Sequence, residues 1–246
     1  MCIQVCDSFG CIMNNMNETQ ARKKIVEILK DMWDRGHVNT TGVSISYRLD
    51  DSRILVDQSG TAFRKCRISE DDLLIIDINC NLVETAPNSP ERKAPVNTVI
   101  HTEYYKANPL ARACVHCHPR YSQVFACRNE SIFPYTLQAQ IIGEVPCVFV
   151  DDALHKKDFF DKNLNVEIPS GLHSRPDVFY VMQKVADEVV HVLSGREKEM
   201  EKHGLAVNHF EHGIFVFGRN LDEAFDNLER VEANAHVTIM SKVLDK

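Results

Sequence analysis

The stretch Ala111-Arg-Ala-Cys-Val-His-Cys-His118 decides how this sequence is interpreted, because it combines a strand pattern with two histidines. Alternate residues of a β-strand share a face, so we expect His116 and His118 on one side and Cys117 on the other. Two neutral imidazoles on one rigid strand form half of a site for zinc or a similar ion. Two histidines lining a polar interface would give the same pattern, so the pair alone does not establish a metal site.

A third histidine stands in a second stretch, Glu211-His-Gly-Ile-Phe-Val-Phe-Gly218. Here His212 precedes glycine and an apolar strand, and a second glycine leads into a helix with an acidic first turn. Two further histidines nearby, His203 and His209, are expected at the surface or behind the site.

These motifs, with two others, resemble the class II aldolase/adducin family over about residues 20–240. The other matching stretches are Gln58-Ser59-Gly60-Thr61 and Ile68–Asp77, and the two histidine motifs extend to Asn108–Pro119 and His212–Phe225. The resemblance implies that His116, His118 and His212 bind one divalent metal per subunit, zinc first, with manganese, iron or cobalt as alternatives. It also implies a homotetramer with its sites at subunit boundaries.

The chain has the pattern of one α/β domain at residues 17–246, preceded by a poorly specified arm at 1–16. Expected helices begin at Asn17, whose capping box includes Gln20, and elsewhere cover 96–106, 122–127, 177–201 and 221–240. Expected strands cover 43–49, 53–61, 73–79, 111–118, 141–150 and 213–218. The resemblance implies a three-layer α/β/α fold around a mainly antiparallel sheet. The polar segment 151–176 is expected to cover the site or extend an interface.

Three departures from the family pattern limit the chemistry that the resemblance implies. The family has an acid/base glutamate nineteen residues before the first metal histidine, and this position is Asn97, which cannot exchange a proton near neutral pH. The two phosphate-binding serines before that glutamate are Pro95 and Val96. The family's glycine–asparagine loop reads Thr41-Gly42-Val43-Ser44, without the asparagine.

Part of the substrate-binding pattern remains, in Thr41-Gly42 and in Ser59-Gly60-Thr61. Backbone amides and hydroxyls of Ser59, Gly60 and Thr61 are able to bind an anion, although a tight turn between strands explains the same residues. Asn97 keeps hydrogen-bonding capacity for a substrate oxygen.

This combination favours a metal-dependent carbon–carbon lyase, and a decarboxylase of a hydroxylated aromatic or hydroxy-carboxylate over a sugar-phosphate aldolase. Decarboxylation removes no hydroxyl proton, so it tolerates the loss of the glutamate. Asn97 is expected to orient the substrate. His101, one helical turn later, or Tyr135 is expected to reprotonate the carbanion. The family's tyrosine from a neighbouring subunit falls near Tyr135, and in ungapped register at Leu137.

Three alternatives remain beside the decarboxylase. One is an aldolase for a sugar phosphate or a related hydroxy-carbonyl substrate, and another is an oxygenase with iron(II) on the three histidines. The third is an adducin-like binding module without catalysis.

The composition excludes several other classes of protein. A formal net charge of −7 argues against nucleic acid or an anionic membrane as the main partner. No apolar run reaches the roughly 18 residues of a membrane span. The nine cysteines are scattered and odd in number, which fits free thiols in a reducing cytoplasm better than a disulfide framework.

Overall fold

The computed structural model describes residues 16–38, 42–150 and 166–244. Ten strands, numbered in chain order, are β1 (Ser44–Arg48), β2 (Ile54–Asp57), β3 (Leu73–Ile76), β4 (Leu82–Glu84), β5 (Ala94–Pro95), β6 (Ala113–Cys117), β7 (Cys147–Val148), β8 (Leu172–His173), β9 (Leu205–His209) and β10 (Gly213–Gly218). Eight of them form one sheet in the order β4-β3-β2-β1-β6-β10-β9-β7, and β5 pairs with β8 separately. Neighbours in the large sheet are antiparallel, except that β7 runs parallel to β9.

Helices cover both faces of this sheet. They are α1 (Glu18–Asp34), α2 (Ala62–Lys65), α3 (Thr98–Ala107), α4 (Ser122–Cys127), α5 (Pro176–Leu193) and α6 (Leu221–Leu244). One apolar core lies between the sheet and α1 with α6, and a second lies between the sheet and α3 with α5. This arrangement confirms the expected three-layer α/β/α fold and its mainly antiparallel sheet.

Local signals account for the elements that were predicted correctly. The Asn17 side chain accepts from the backbone of Gln20, whose side chain accepts from the Asn17 amide, and this capping box starts α1. The central strand β6 is buried along its whole length because neighbouring strands and helices cover it on every side. Cys114 and Cys117 on this strand belong to the two different cores, and the described cysteines are free thiols.

Several elements differ from the sequence prediction. The expected strand 141–150 is a strand only at Cys147–Val148, after a 3-10 turn at Gln138–Ile141. The helix expected at 177–201 ends at Leu193, because Gly195 at φ 84° turns the chain before a short 3-10 turn. The strands expected at 53–61 and 73–79 end at Asp57 and Ile76, and β4, β5, β8, β9 and the short helix α2 were not predicted.

Two predictions fall largely outside the described residues. Residues 1–15 of the N-terminal arm and 151–165 of the polar segment are not described, and the single domain at 17–246 stays a prediction. No helix in the described part of the chain is long and apolar enough to cross a membrane.

Candidate functional site

Three histidines from two separate parts of the chain meet at one end of the sheet. The rings of His116 and His118 lie 4.8 Å apart between centroids, on the same side of β6 as predicted. The ring of His212 lies 5.0 Å from the first and 4.8 Å from the second. One candidate ligand atom from each of the three lies within 4.8 Å of the others, and we call this group the three-histidine cluster.

The hydrogen bonding of His116 prepares it for a metal ion. Its Nδ1–H donates to the carbonyl of Ile214 at 2.9 Å, which leaves the lone pair on Nε2. That Nε2 atom is buried and has no hydrogen-bond partner among the described residues. A buried acceptor without a partner costs about 1–3 kcal/mol, and a metal ion at the cluster would supply the partner.

The electrostatics of the cluster keep its imidazoles neutral, which is the form that binds metal. Burial is the main cause in each case. It lowers the pKa of His116 and His212 well below the usual histidine value, and neighbouring histidines lower both further. Burial lowers the pKa of His118 to about 4. The donor set therefore fits a divalent ion with three protein ligands and open positions for substrate.

A glycine and a glutamine position His212 in the turn between β9 and β10. A Cβ atom on Gly213 would lie 2.3 Å from the carbonyl oxygen of Cys117 and 2.7 Å from the ring of His118. Only glycine therefore lets this turn come so close to the end of β6. The side chain of Gln123 in α4 donates to the His212 carbonyl at 3.2 Å.

A cavity of about 300 Å³ opens in front of the cluster. Its walls come from six separate segments of the described chain: Gly42, Val43, Ser59, Gly60, Pro95, Val96, Asn97, His118, His173 and His212. No carboxylate is among these described lining residues. The cavity therefore combines imidazoles and an amide with an apolar wall.

The predicted substrate-binding residues meet in this cavity in part. Gly42, Ser59 and Gly60 line it, whereas Thr61 is exposed and is not among the lining residues. The two glycines approach closely, because a Cβ on Gly42 would lie 2.9 Å from the Gly60 carbonyl oxygen. Thr41 lies outside the described residues.

Asn97 lies beside the three-histidine cluster, as expected from the sequence. Its Nδ2 atom is 3.5 Å from Nε2 of His212, and the residue lines the cavity next to Val96. An amide here is able to donate to an oxygen of a bound substrate, but it does not transfer a proton near neutral pH.

His101 does not share that cavity, contrary to the expected common face with Asn97. It is fully buried, and its two ring nitrogens lie 3.1 Å and 2.9 Å from the hydroxyls of Ser44 and Ser46. Burial and the nearby Lys65 lower the pKa of His101 to about 3. A neutral histidine enclosed in this way supports β1 and does not reach the substrate.

The spacing argument fails at Asn97 because this residue precedes α3. His101 lies within α3, where its ring is held between the hydroxyls of Ser44 and Ser46 on β1.

Tyr135 lies away from the cluster within the chain. Its side chain is 62% exposed, and it lines a different surface cavity with Phe125, Glu130, Ser131, Phe133, Pro134, Thr238 and Lys242. Leu137, the alternative register, is 75% exposed. Neither side chain reaches the three-histidine cluster of its own chain, so a role for either requires a neighbouring subunit.

Two features of the site were not predicted from the sequence. His173 lines the cavity because β8 pairs with β5 beside Asn97. Two arginines flank the Ser59–Gly60 turn: Arg92 donates to the Ser59 carbonyl at 3.3 Å, and Arg64 donates to Ser89 at 3.2 Å. Lone basic residues in a polar loop carry no signal that would have identified them.

His209 was expected at the surface or behind the site, and it lies behind it. It is buried at the end of β9, and its ring centroid is 5.1 Å from that of His212. His203 is half-buried and bonds the neighbouring Gly204 carbonyl at 2.7 Å, and it is not among the residues that line the cavity.

Comparisons with known proteins identify relatives over most of the chain. The chain is 27% identical over 226 residues to the 3-oxo-tetronate 4-phosphate decarboxylase of Haemophilus influenzae, covering 89% of this chain and 87% of the relative. It is 26% identical over 236 residues to the methylthioribulose-1-phosphate dehydratase of Serratia proteamaculans, covering 94% and 99%.

The solved structure of an L-fuculose 1-phosphate aldolase has the same fold, with a TM-score of 0.69 over 95% of this chain and 91% of that one. The sequence identity is 20%, so this likeness concerns the fold alone. The family described as Class II Aldolase and Adducin N-terminal domain matches residues 23–239. A match over most of the chain, with the three histidines gathered at one site, shows that the protein belongs to the class II aldolase and adducin family.

Proposed function

We propose that this protein is a divalent-metal-dependent lyase that decarboxylates a small hydroxy- or oxo-carboxylate, with zinc at the three-histidine cluster. The observation that carries the proposal is the pairing of an intact cluster with Asn97 in a cavity whose described lining includes no carboxylate. The three histidines would hold the metal ion that stabilises a carbanion, and no described residue of the cavity provides the carboxylate base that an aldol cleavage uses.

The chemistry of decarboxylation suits these residues. A divalent ion, when bound, polarises the substrate oxygens so that negative charge developing on carbon is stabilised. The bond from carbon to the carboxylate breaks, its electron pair stays on carbon, and carbon dioxide leaves without removal of a hydroxyl proton. The named decarboxylase among the relatives, which matches over most of both chains, supports this reaction class.

The chain's own residues orient the substrate. Asn97 donates its amide hydrogens to a substrate oxygen beside His212. Ser59 and Gly60 hold an anionic end of the substrate, and the positive charges of Arg64 and Arg92 lie behind their turn.

Pro95 and Val96 form the wall that offers the reacting carboxylate no hydrogen bond. A carboxylate beside such a wall is poorly solvated, which favours its conversion to neutral carbon dioxide. A volume of about 300 Å³ favours a small acid over a large aromatic one.

A panel of four substrates tests the proposal on zinc-loaded protein. The panel contains a phosphorylated four-carbon 3-oxo acid, a catechol-type acid, a sugar 1-phosphate and methylthioribulose 1-phosphate. We expect carbon dioxide from one of the two acids, aldehyde release from the sugar phosphate to be slower, and no dehydration. Turnover of the sugar phosphate alone would refute the decarboxylase.

The remaining alternatives give different results in the same experiment. An iron oxygenase would be purified with iron and would consume oxygen, and an adducin-like binding module would bind without turnover. Water loss from methylthioribulose 1-phosphate would make the protein a dehydratase, as the other named relatives are.

We also propose that the chain forms a homotetramer in the cytoplasm. The exposed side chains of Phe133, Tyr135 and Leu137 support association, since large apolar groups exposed together mark contact surfaces. Free thiols among the described cysteines support a reducing compartment. Light scattering of the purified protein measures the oligomeric state directly.

A further inference from the structure

Among the described residues that line the cavity, one titratable side chain lies outside the three-histidine cluster. Among the described lining residues, the titratable groups are His118, His173 and His212. His118 and His212 belong to the three-histidine cluster, so a metal ion would occupy their ligand nitrogens. His173 is the remaining residue among them whose ring nitrogens are able to carry a proton into the cavity.

The backbone around His173 is anchored on both sides. Strands β5 and β8 run parallel with Pro95 opposite His173, and the Ala94 amide donates to the Gly171 carbonyl at 2.8 Å. The Gly171 amide donates to the Cys80 carbonyl at 3.0 Å. A Cβ on Gly171 would lie 2.5 Å from that Cys80 oxygen, so the segment is held tightly against the turn after β3.

The segment is also fixed before and after these contacts. The Leu82 amide donates to Ser170 Oγ at 3.0 Å, and α5 begins three residues after His173, at Pro176. The His173 side chain is exposed while it lines the cavity, so water is able to replace a proton that it gives up. The backbone of His173 is thus held at the cavity while its side chain is open to solvent, which suits a general acid.

We propose that His173 donates the proton that ends decarboxylation. This inference rests on the proposed function. After carbon dioxide has left, the electron pair on the substrate carbon takes a proton from a ring nitrogen of protonated His173. A new carbon–hydrogen bond forms, the nitrogen–hydrogen bond breaks, and neutral His173 takes up a proton from water. No oxidant or reductant is needed.

The other candidates within the same chain do not suit this role. Asn97 lines the cavity but carries no exchangeable proton of suitable acidity, and His101 is enclosed between Ser44 and Ser46. Tyr135 lines a separate cavity, so it would reach only the site of a neighbouring subunit. The proton donor is therefore His173 on β8, and not the residue at the position of the family's glutamate, which is Asn97.

Two variants, His173→Asn and His173→Ala, test the proposal in the zinc-loaded full-length protein. The substrate is the phosphorylated four-carbon 3-oxo acid or the catechol-type acid, whichever the wild type decarboxylates. The matched control is His191→Asn, which changes an exposed histidine on α5. We expect kcat of both His173 variants to fall about 10²-fold or more, with KM within threefold and bound zinc unchanged. The control keeps wild-type values.

Two further measurements separate proton donation from a structural role. Added imidazole restores kcat to His173→Ala and does not change the control. In deuterium oxide the wild type delivers deuterium to one face of the product carbon, and His173→Ala loses this preference. A kcat within threefold of the wild type in both variants, or a loss confined to KM or bound zinc, would overturn the proposal. Absence of decarboxylation by the wild type is a separate outcome, which refutes the proposed function and the inference that rests on it.

Discussion

Replacing Gly213 by alanine tests whether close approach of two strands assembles the metal site. The added Cβ would lie 2.3 Å from the Cys117 carbonyl oxygen and 2.7 Å from the His118 ring, and real Cβ atoms essentially never approach below 3.0 Å. The first clash is with backbone, so a side-chain rotation does not relieve it. The turn that carries His212 must move away from the end of β6 by about 1 Å.

The magnitude follows from this overlap. Overpacking in a tightly packed interior costs typically about 1–3 kcal/mol, and a clash with backbone in the central sheet belongs at the upper end. For a chain of this size, 1 kcal/mol shifts Tm by about 2–4 °C, so Gly213→Ala should lower Tm of the metal-free protein by about 4–12 °C. Because the same movement separates His212 from the other two histidines, bound zinc should also fall at least tenfold.

Gly195→Ala is the matched control for this experiment. Gly195 has φ 84°, and a Cβ added there meets nothing within 4 Å. This variant therefore suffers only the cost of a left-handed backbone, about 1–2 kcal/mol, and should keep its zinc. Differential scanning calorimetry and elemental analysis measure the two effects. If Gly213→Ala retains one zinc per chain and loses no more stability than the control, the argument from close approach is wrong.

Four further predictions concern pH, a buried ion pair, a helix start and the acid/base position. In the folded metal-free protein, the pKa of the cluster histidines lies below the unfolded value of about 6.5. The free energy of unfolding should therefore be constant above that pH and decrease as the pH falls towards 4, by about 3 kcal/mol for His118 alone. Chemical denaturation at several pH values measures this dependence. Lys65→Met, which leaves the buried Asp57 carboxylate unpaired, should cost about 3–5 kcal/mol in urea unfolding, and adding Asp57→Asn should recover part of it. Glu232→Gln should cost about 1–3 kcal/mol with zinc retained, since the Glu232 carboxylate accepts two backbone amides where α4 begins. Asn97→Glu should lower kcat for carbon dioxide release at least tenfold with zinc retained, because the new carboxylate would repel the carboxylate of the substrate. An unchanged kcat would show that Asn97 does not contact the reacting group.

A local pattern was sufficient to predict that two of the three histidines share one side of a strand. The alternation of β6 places His116 and His118 on one side whatever surrounds the strand, and the structure confirms this. The position of His212 was predictable only through resemblance, because nothing in the order of residues places the turn after β9 against the end of β6. Gly213 must be glycine because of that contact, and the requirement can be recognised only once its distance to Cys117 is known.

Burial without alternation explains why one strand of the large sheet was not predicted. Strand β9 is buried at all five positions, so its mixture of apolar and polar residues shows no period of two. In the sequence, Asn208 and His209 resemble loop residues. In the structure, both pair with β10, and the Asn208 side chain donates to the Ser122 carbonyl. The reverse error occurs at 141–150, where apolar character suggested a long strand but pairing at the sheet edge is limited to Cys147–Val148.

His173 shows why the proton donor is harder to predict than the metal. Metal ligands are of three or four residue types at fixed spacing, so a strand and a turn are enough to indicate them. A proton donor needs only one titratable group at the right distance, and any segment of the chain is able to supply it. Here a two-residue parallel pairing between β5 and β8, separated by more than seventy residues in the chain, brings the imidazole to the cavity. Because an amide stands at the position of the family's acid, a proton donor is expected on a strand that flanks the cavity, where His173 lies, and not one turn further along α3, where His101 is buried.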